Sequence, residues 1–140
     1  MSNFLKHHLV HLREHSPVVP AVNQFEIHPL LWESSTIDYC REHKIAIEAY
    51  SPLARQDERL FKSDVMLALS KKYNKTVAQL SLRWCLQHGF IVLPKSKNPQ
   101  RIEENVGIYD FEISDEDMKK ITGLTKKHVR TCWDPNNVKF

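Results

Sequence analysis

The chain has 140 residues, 41% of them hydrophobic and 26% charged, with a formal net charge of +3. That size and balance suit one globular domain and exclude disordered and fibrous classes. No apolar run approaches the ~20 residues needed to span a bilayer, and the small, scattered basic excess defines no nucleic-acid surface. Cys40, Cys85 and Cys132 are odd in number and lack Cys-x-x-Cys spacing, which argues against a disulfide framework or a zinc ribbon. Together with the absence of a charged-then-apolar leader after Met1, this leads us to expect a cytoplasmic protein.

Leu5, Leu9 and Leu12 recur at helical spacing over residues 5–15, and Ser16-Pro17 ends that helix. On the same helix His7, His11 and His15 fall at i, i+4 and i+8. Without an obvious carboxylate or Cys partner they read as a solvated face, and no metal is expected. Pro20 to Pro29 is an extended run with Ala21, Phe25 and Ile27 on one face and Gln24, Glu26 and His28 on the other. Ser34 or Ser35 can cap a helix running through Tyr39, Cys40 and His43, and Ser35-x-x-Asp38 has the form of a capping box. Ile45 to Tyr50 is a second strand, broken by Ser51-Pro52-Leu53, and residues 55–59 read as a charged loop.

Val65, Ala68 and Leu69 mark a helix ending near Asn74; Thr76 caps the next, with Val77, Leu80 and Trp84 inside and His88-Gly89 as its stop. Phe90 to Pro94 is a third strand. Asn98-Pro99 opens a helix through Ile102 and Val106, and Ser114-x-x-Asp117 opens a last one with Met118, Ile121 and Leu124. Residues 125–140 show no period. Strands alternating with helices predict parallel pairing and an α/β class. A strand covered on both faces should be apolar throughout. Gln24, Glu26, Glu48 and Tyr50 break that rule, which suits a closed barrel with a rim site better than an open sheet.

Three segments carry chemistry. From Leu93 to Asn105 a strand ends, Lys95, Ser96 and Lys97 follow, and a capped helix begins with Arg101 in its first turn. Free N–H groups, the helix dipole and a guanidinium fork suit a phosphate; ordinary solvated charges are the alternative. Tyr50 at a strand's carboxyl end can stack on a flat heterocycle, or simply pack with its hydroxyl bonded nearby. Gln24 can pair with an amide, or with a neighbouring strand or water.

Together with Ser2-Asn3-Phe4, Ala78 to Trp84 and Phe111 to Asp117, the Pro20–Pro29, Ala49–Leu53 and Leu93–Asn105 segments resemble the aldo-keto reductase family in family order across nearly the whole chain. The resemblance implies a (β/α)8 TIM barrel, of which residues 1–140 would supply the C-terminal half with roughly strands six to eight. It implies NADPH-dependent reduction of aldehydes and ketones, with NADP favoured over NAD. Ser2, Asn3 and Gln24 match the ligands of the nicotinamide carboxamide, and Tyr50 matches the residue that stacks beneath the ring. Ser51 and Leu53 match the approach to the pyrophosphate, with Ala54 standing where the family commonly has Gly. Lys95, Ser96, Asn98 and Arg101 match the 2′-phosphate clamp, and Glu104 and Asn105 the adenine contacts. Trp133 is a candidate substrate contact.

The family's catalytic Asp, Tyr, Lys and His precede the Ser-Asn segment, so no catalytic residue is expected within this sequence. His28, Glu26 and Glu48 are read as structural groups. The expected partner is a small carbonyl substrate, with neither nucleic acid nor membrane. Open sheet edges predict self-association or pairing with an N-terminal half-barrel. The competing expectation is an inactive truncated fragment that serves as a nucleotide-binding or assembly module.

Overall fold

The computed structural model describes residues 1–137. Three parallel strands, β1 (Val22–Glu26), β2 (Ala46–Tyr50) and β3 (Ile91–Leu93), form a sheet in the order β1-β2-β3. Side chains alternate across a strand, so the register sorts them into two faces. Asn23, Phe25, Ile47 and Ala49 are buried under helices together with half-buried Val92. On the other face Gln24, Glu48 and Ile91 stand in one row, and Glu26, Tyr50 and Leu93 in the next. The alternation at Phe25 and Ile27 against Gln24 and Glu26 is therefore as the sequence predicts. Asn23 departs from the apolar pattern. Its Nδ2 donates to the Phe4 carbonyl oxygen at 2.8 Å, while its buried Oδ1 has no partner among the described residues.

Among the described residues seven α-helices follow the predicted order with one addition: α1 (Lys6–His15), α2 (Ser34–Glu42), α3 (Glu58–Phe61), α4 (Asp64–Tyr73), α5 (Val77–Gln87), α6 (Pro99–Val106) and α7 (Asp115–Thr122). No helix is long and apolar enough to cross a membrane among the described residues. Thr76 caps α5 through a reciprocal box with Gln79, satisfying two orphan donors. Gly89, at φ +81, supplies the left-handed residue after the helix ends. Val77, Leu80 and Trp84 are buried, as are Met118, Ile121 and Leu124 near the last helix.

Four expectations need correction. Neither Ser34 nor Ser35 caps α2; Glu33 occupies the cap position without a side-chain cap bond, and its carboxylate is engaged by Arg130. The charged stretch 55–59 is not an open loop. Asp57 accepts from Arg59 N–H at 2.9 Å and starts α3, a local Asx interaction that hydrophobic periodicity does not register. On α1, His11 Nδ1 lies 3.9 Å from Glu14 Oε2, so the histidine face does have a carboxylate beside it. Finally, the outer edge of β1 is not open. Gln24 N–H donates to the Met1 carbonyl and Asn3 N–H donates to the Gln24 carbonyl, making a short parallel bridge at Ser2.

The segment after α7 has a definite place through residue 137 despite its aperiodic sequence; residues 138–140 lie outside the described residues. Val129 N–H donates to the Leu30 carbonyl, and Thr131 N–H donates to Glu26 Oε1 at 2.7 Å, so the tail crosses the carboxyl end of β1.

Candidate functional site

The carboxyl ends of β2 and β3 place the chemistry. Tyr50 and Leu93 are register partners, so the segments that follow, Ser51 to Leu53 and Pro94 to Asn98, leave from one rim. Between them and the α5–α6 side lies a cleft of about 640 Å³, to which Leu53, Lys95, Ser96, Asn98, Arg101, Glu104 and Asn105 all contribute. Gln56, Phe61 and Thr76 also line it, although the sequence singled out none of them as site residues. Thr76 could have been suspected: a cap facing the next helix is also a hydroxyl available to a cleft. An adjoining cleft of about 400 Å³ carries Ser51 and shares Leu53 and Lys95. The two clefts together make one track along the rim.

Charge in the larger cleft is uneven. Lys95, Lys97 and Arg101 face a single carboxylate in its lining, Glu104, which already accepts from the Thr76 hydroxyl. Excess cationic side chains near a helix N-terminus favour an anionic ligand. Asn98 caps α6 by accepting from Arg101 N–H at 3.3 Å, and Ser96 Oγ accepts from Asn98 N–H at 3.1 Å. These bonds set the loop and leave the Arg101 guanidinium uncommitted by any described carboxylate.

Ser2, Asn3, Gln24 and Tyr50 lie outside both cleft linings and form a second cluster at the same rim. Tyr50 OH donates to Asn3 Oδ1 at 2.7 Å, and Asn3 Nδ2 donates to Ser2 Oγ at 3.3 Å. Gln24 Nε2 donates to Glu48 Oε2 at 2.8 Å, so its amide is paired across strands and its oxygen has no described partner. Burial, and to a lesser degree the nearby Cys132 and Glu26, push the Tyr50 hydroxyl up to about 12. Tyr50 is thus a neutral ring whose hydroxyl is held by Asn3, an arrangement compatible with stacking on a flat ligand. The packed alternative for Tyr50 and the neighbouring-strand alternative for Gln24 describe the bonds present; both remain compatible with a ligand on the ring or at the amide oxygen.

Glu26 anchors the far end of this cluster. Burial alone would raise its carboxyl, but hydrogen bonds from His28 and Thr131 hold it down to about 2. His28 Nε2 is 3.0 Å from Glu26 Oε1, with both side chains fully buried. The sequence reading of both as structural groups agrees with this geometry. Trp133 is 55% exposed and contributes to neither cleft. The loop after β2 is strained: Ser51, Ala54, Arg55 and Gln56 all have positive φ, with Ala54 at +47 and fully buried. L-residues adopt this conformation at a cost of ~1–2 kcal/mol each.

The family model described as the aldo/keto reductase family matches residues 1–126. The chain belongs to that family. It is 44% identical over 136 residues to an uncharacterized oxidoreductase of Schizosaccharomyces pombe, covering 96% of this chain and 48% of the relative. It is 46% identical over 126 residues to glyoxal reductase of Bacillus subtilis, covering 90% and 45% respectively. Among solved structures, a point mutant of Gox0644 in complex with NADPH superposes with a TM-score of 0.91 at 36% identity, over 99% of this chain and 51% of that one. The chain therefore spans about half the length of the relatives it matches.

Proposed function

We propose that this chain supplies the dinucleotide-binding portion of an NADPH-dependent carbonyl reductase, its sheet corresponding to strands six to eight of a (β/α)8 barrel. The observation that carries the reading is the single rim on which two different chemistries meet: a neutral aromatic platform at Tyr50 and a cation-rich cleft from Lys95 to Arg101. The donor set fits such a cofactor. Lys95 and Arg101 would hold the 2′-phosphate, with Ser96 and Asn98 shaping the loop. Ser51 and Leu53, in the adjoining cleft, would flank the pyrophosphate, and Glu104 and Asn105 the adenine. Ser2, Asn3 and the Gln24 amide oxygen would hold the carboxamide, with Tyr50 beneath the ring.

NADPH, when bound, supplies hydride to an aldehyde or ketone carbon. This chain's residues orient the ring and keep one face covered; they deliver no proton. Proton donation and substrate shape would come from the portion of the relatives that this chain does not span, with Trp133 as the candidate contribution from here. The test is fluorescence titration with NADPH and NADH. Tighter binding of NADPH, reversed toward parity by Lys95→Ala and Arg101→Ala, is expected. Equal affinity for the two nucleotides in the unmodified chain would overturn the clamp.

A second reading, an assembly module without turnover, draws on the uncovered sheet face, where Ile91 and Leu93 are 47% and 40% exposed. Sedimentation alone and with a family N-terminal half-barrel distinguishes the two. Stable pairing that restores NADPH turnover supports the reductase, whereas pairing without turnover supports the module.

A further inference from the structure

On α1, far in sequence from Tyr50 and Lys95, three exposed side chains bring ligand atoms within 4.8 Å of one another: His11, Glu14 and His15. The i, i+3, i+4 spacing puts them on one helical face. His11 Nδ1 is 3.9 Å from Glu14 Oε2, and the His11 and His15 ring centroids are 4.3 Å apart. Tetrahedral ligands at about 2.1 Å from a metal lie about 3.4 Å from each other, so small rotations of freely exposed side chains close the gap.

A second feature points the same way. His15 Nδ1 lies 2.8 Å from the His11 carbonyl oxygen. An imidazole donating Nδ1–H to a backbone carbonyl keeps its Nε2 lone pair outward, the arrangement that metal-binding histidines commonly use to fix tautomer and ring orientation. His7 stands outside this group of three, its ring lying 3.9 Å from that of His8.

We propose that His11, Glu14 and His15 form a surface site for a divalent transition-metal ion, with His15 binding through Nε2 and water completing the coordination. Two imidazoles and a carboxylate suit zinc, nickel or copper and discriminate against magnesium and calcium, which prefer all-oxygen shells. The site is independent of the nucleotide reading.

Titration calorimetry of the full chain with zinc chloride tests it. The expected result is one ion per chain, with affinity reduced on the order of tenfold or more in His11→Ala and in His15→Ala, as loss of a ligand should cost at least as much as loss of an outer-shell partner. Glu14→Gln should weaken binding several-fold, and His7→Ala should leave it unchanged. Ala favours an exposed helix interior, so unaltered far-ultraviolet dichroism keeps the comparison clean. Magnesium should give no heat. Loss in His7→Ala equal to that in His15→Ala, or unchanged affinity in Glu14→Gln, would overturn the assignment. Nitrogen-15 shifts of the His15 ring provide a second measurement: a zinc-induced change at Nδ1 instead of Nε2 would also overturn it.

Discussion

The two ends of the rim are built on different physics. At the β1 end, Glu26 is bonded to His28 and Thr131, and Tyr50 is bonded to Asn3; all five are buried or half-buried, and the exposed Ser2 is bonded to Asn3. At the α6 end, Lys95, Lys97 and Arg101 are exposed, and no described carboxylate pairs with them. A site region made of buried polar bonds is part of the fold, so changing it costs stability. A region made of exposed cations costs the fold little, so changing it costs only ligand affinity, and salt should weaken it.

The largest effect that would break this contrast is at Glu26. Glu26→Ala leaves His28 and the tail donors Thr131 and Cys132 without their acceptor, and each buried donor left unsatisfied costs ~1–3 kcal/mol. Urea unfolding should record that loss; a change below ~1 kcal/mol would show that the tail is merely resting on β1. The same group sets an acid limit. Its folded-state value of about 2 lies below its unfolded value, so the stability it contributes is present above pH ~4.5 and lost as pH falls toward 2. His88, held down to about 4 by burial and by Arg41, must stay neutral in the fold and adds a loss of the same sign between ~6.5 and 4. Denaturant midpoints across this range should fall monotonically as pH drops.

Next in size, Lys95→Ala with Arg101→Ala removes two charge-assisted contacts of ~1.5–3 kcal/mol each. NADPH affinity should fall by ~100-fold or more, with NADH affinity and the unfolding midpoint nearly unchanged. An equal drop for both nucleotides would put these residues on the shared pyrophosphate instead. Tyr50 divides the two ends within one residue. Tyr50→Ala should cost about tenfold in nucleotide affinity by loss of stacking, while Tyr50→Phe keeps the ring and should cost only a few-fold. The smallest effect is at Ala54. Ala54→Gly relieves a positive φ at the expense of one buried methyl, and should raise stability by up to about 1 kcal/mol. A loss instead would mean that packing of the methyl outweighs the strain.

Much of this was legible beforehand because it depends on short-range rules. Thr76, Asn98 and Ser114 announce their helices by side-chain chemistry within three residues. Local residue chemistry made Tyr50, Lys95 and Arg101 candidates, and the family resemblance supplied their specific roles. The misses share a cause. Ser34 or Ser35 was the expected cap of α2, yet Glu33 takes that position, its carboxylate engaged by Arg130 nearly a hundred positions away. The α6 apolar residues Ile102 and Val106 follow helical spacing yet are 50% and 64% exposed, since periodicity states which residues share a face and not whether anything covers it.

Alternation of side chains, local caps and turn residues were enough to determine three strands and the main helices, because each is decided by neighbours a few bonds away; most candidate site roles came from the family resemblance instead. Tertiary structure alone decided that Met1 to Asn3 lies along β1, that residues 129–132 close over Glu26, and that Tyr50 and Lys95 share a rim. Those outcomes depend on hydrogen bonds and burial between segments distant in the chain. Nothing in the local pattern of either partner carries that information.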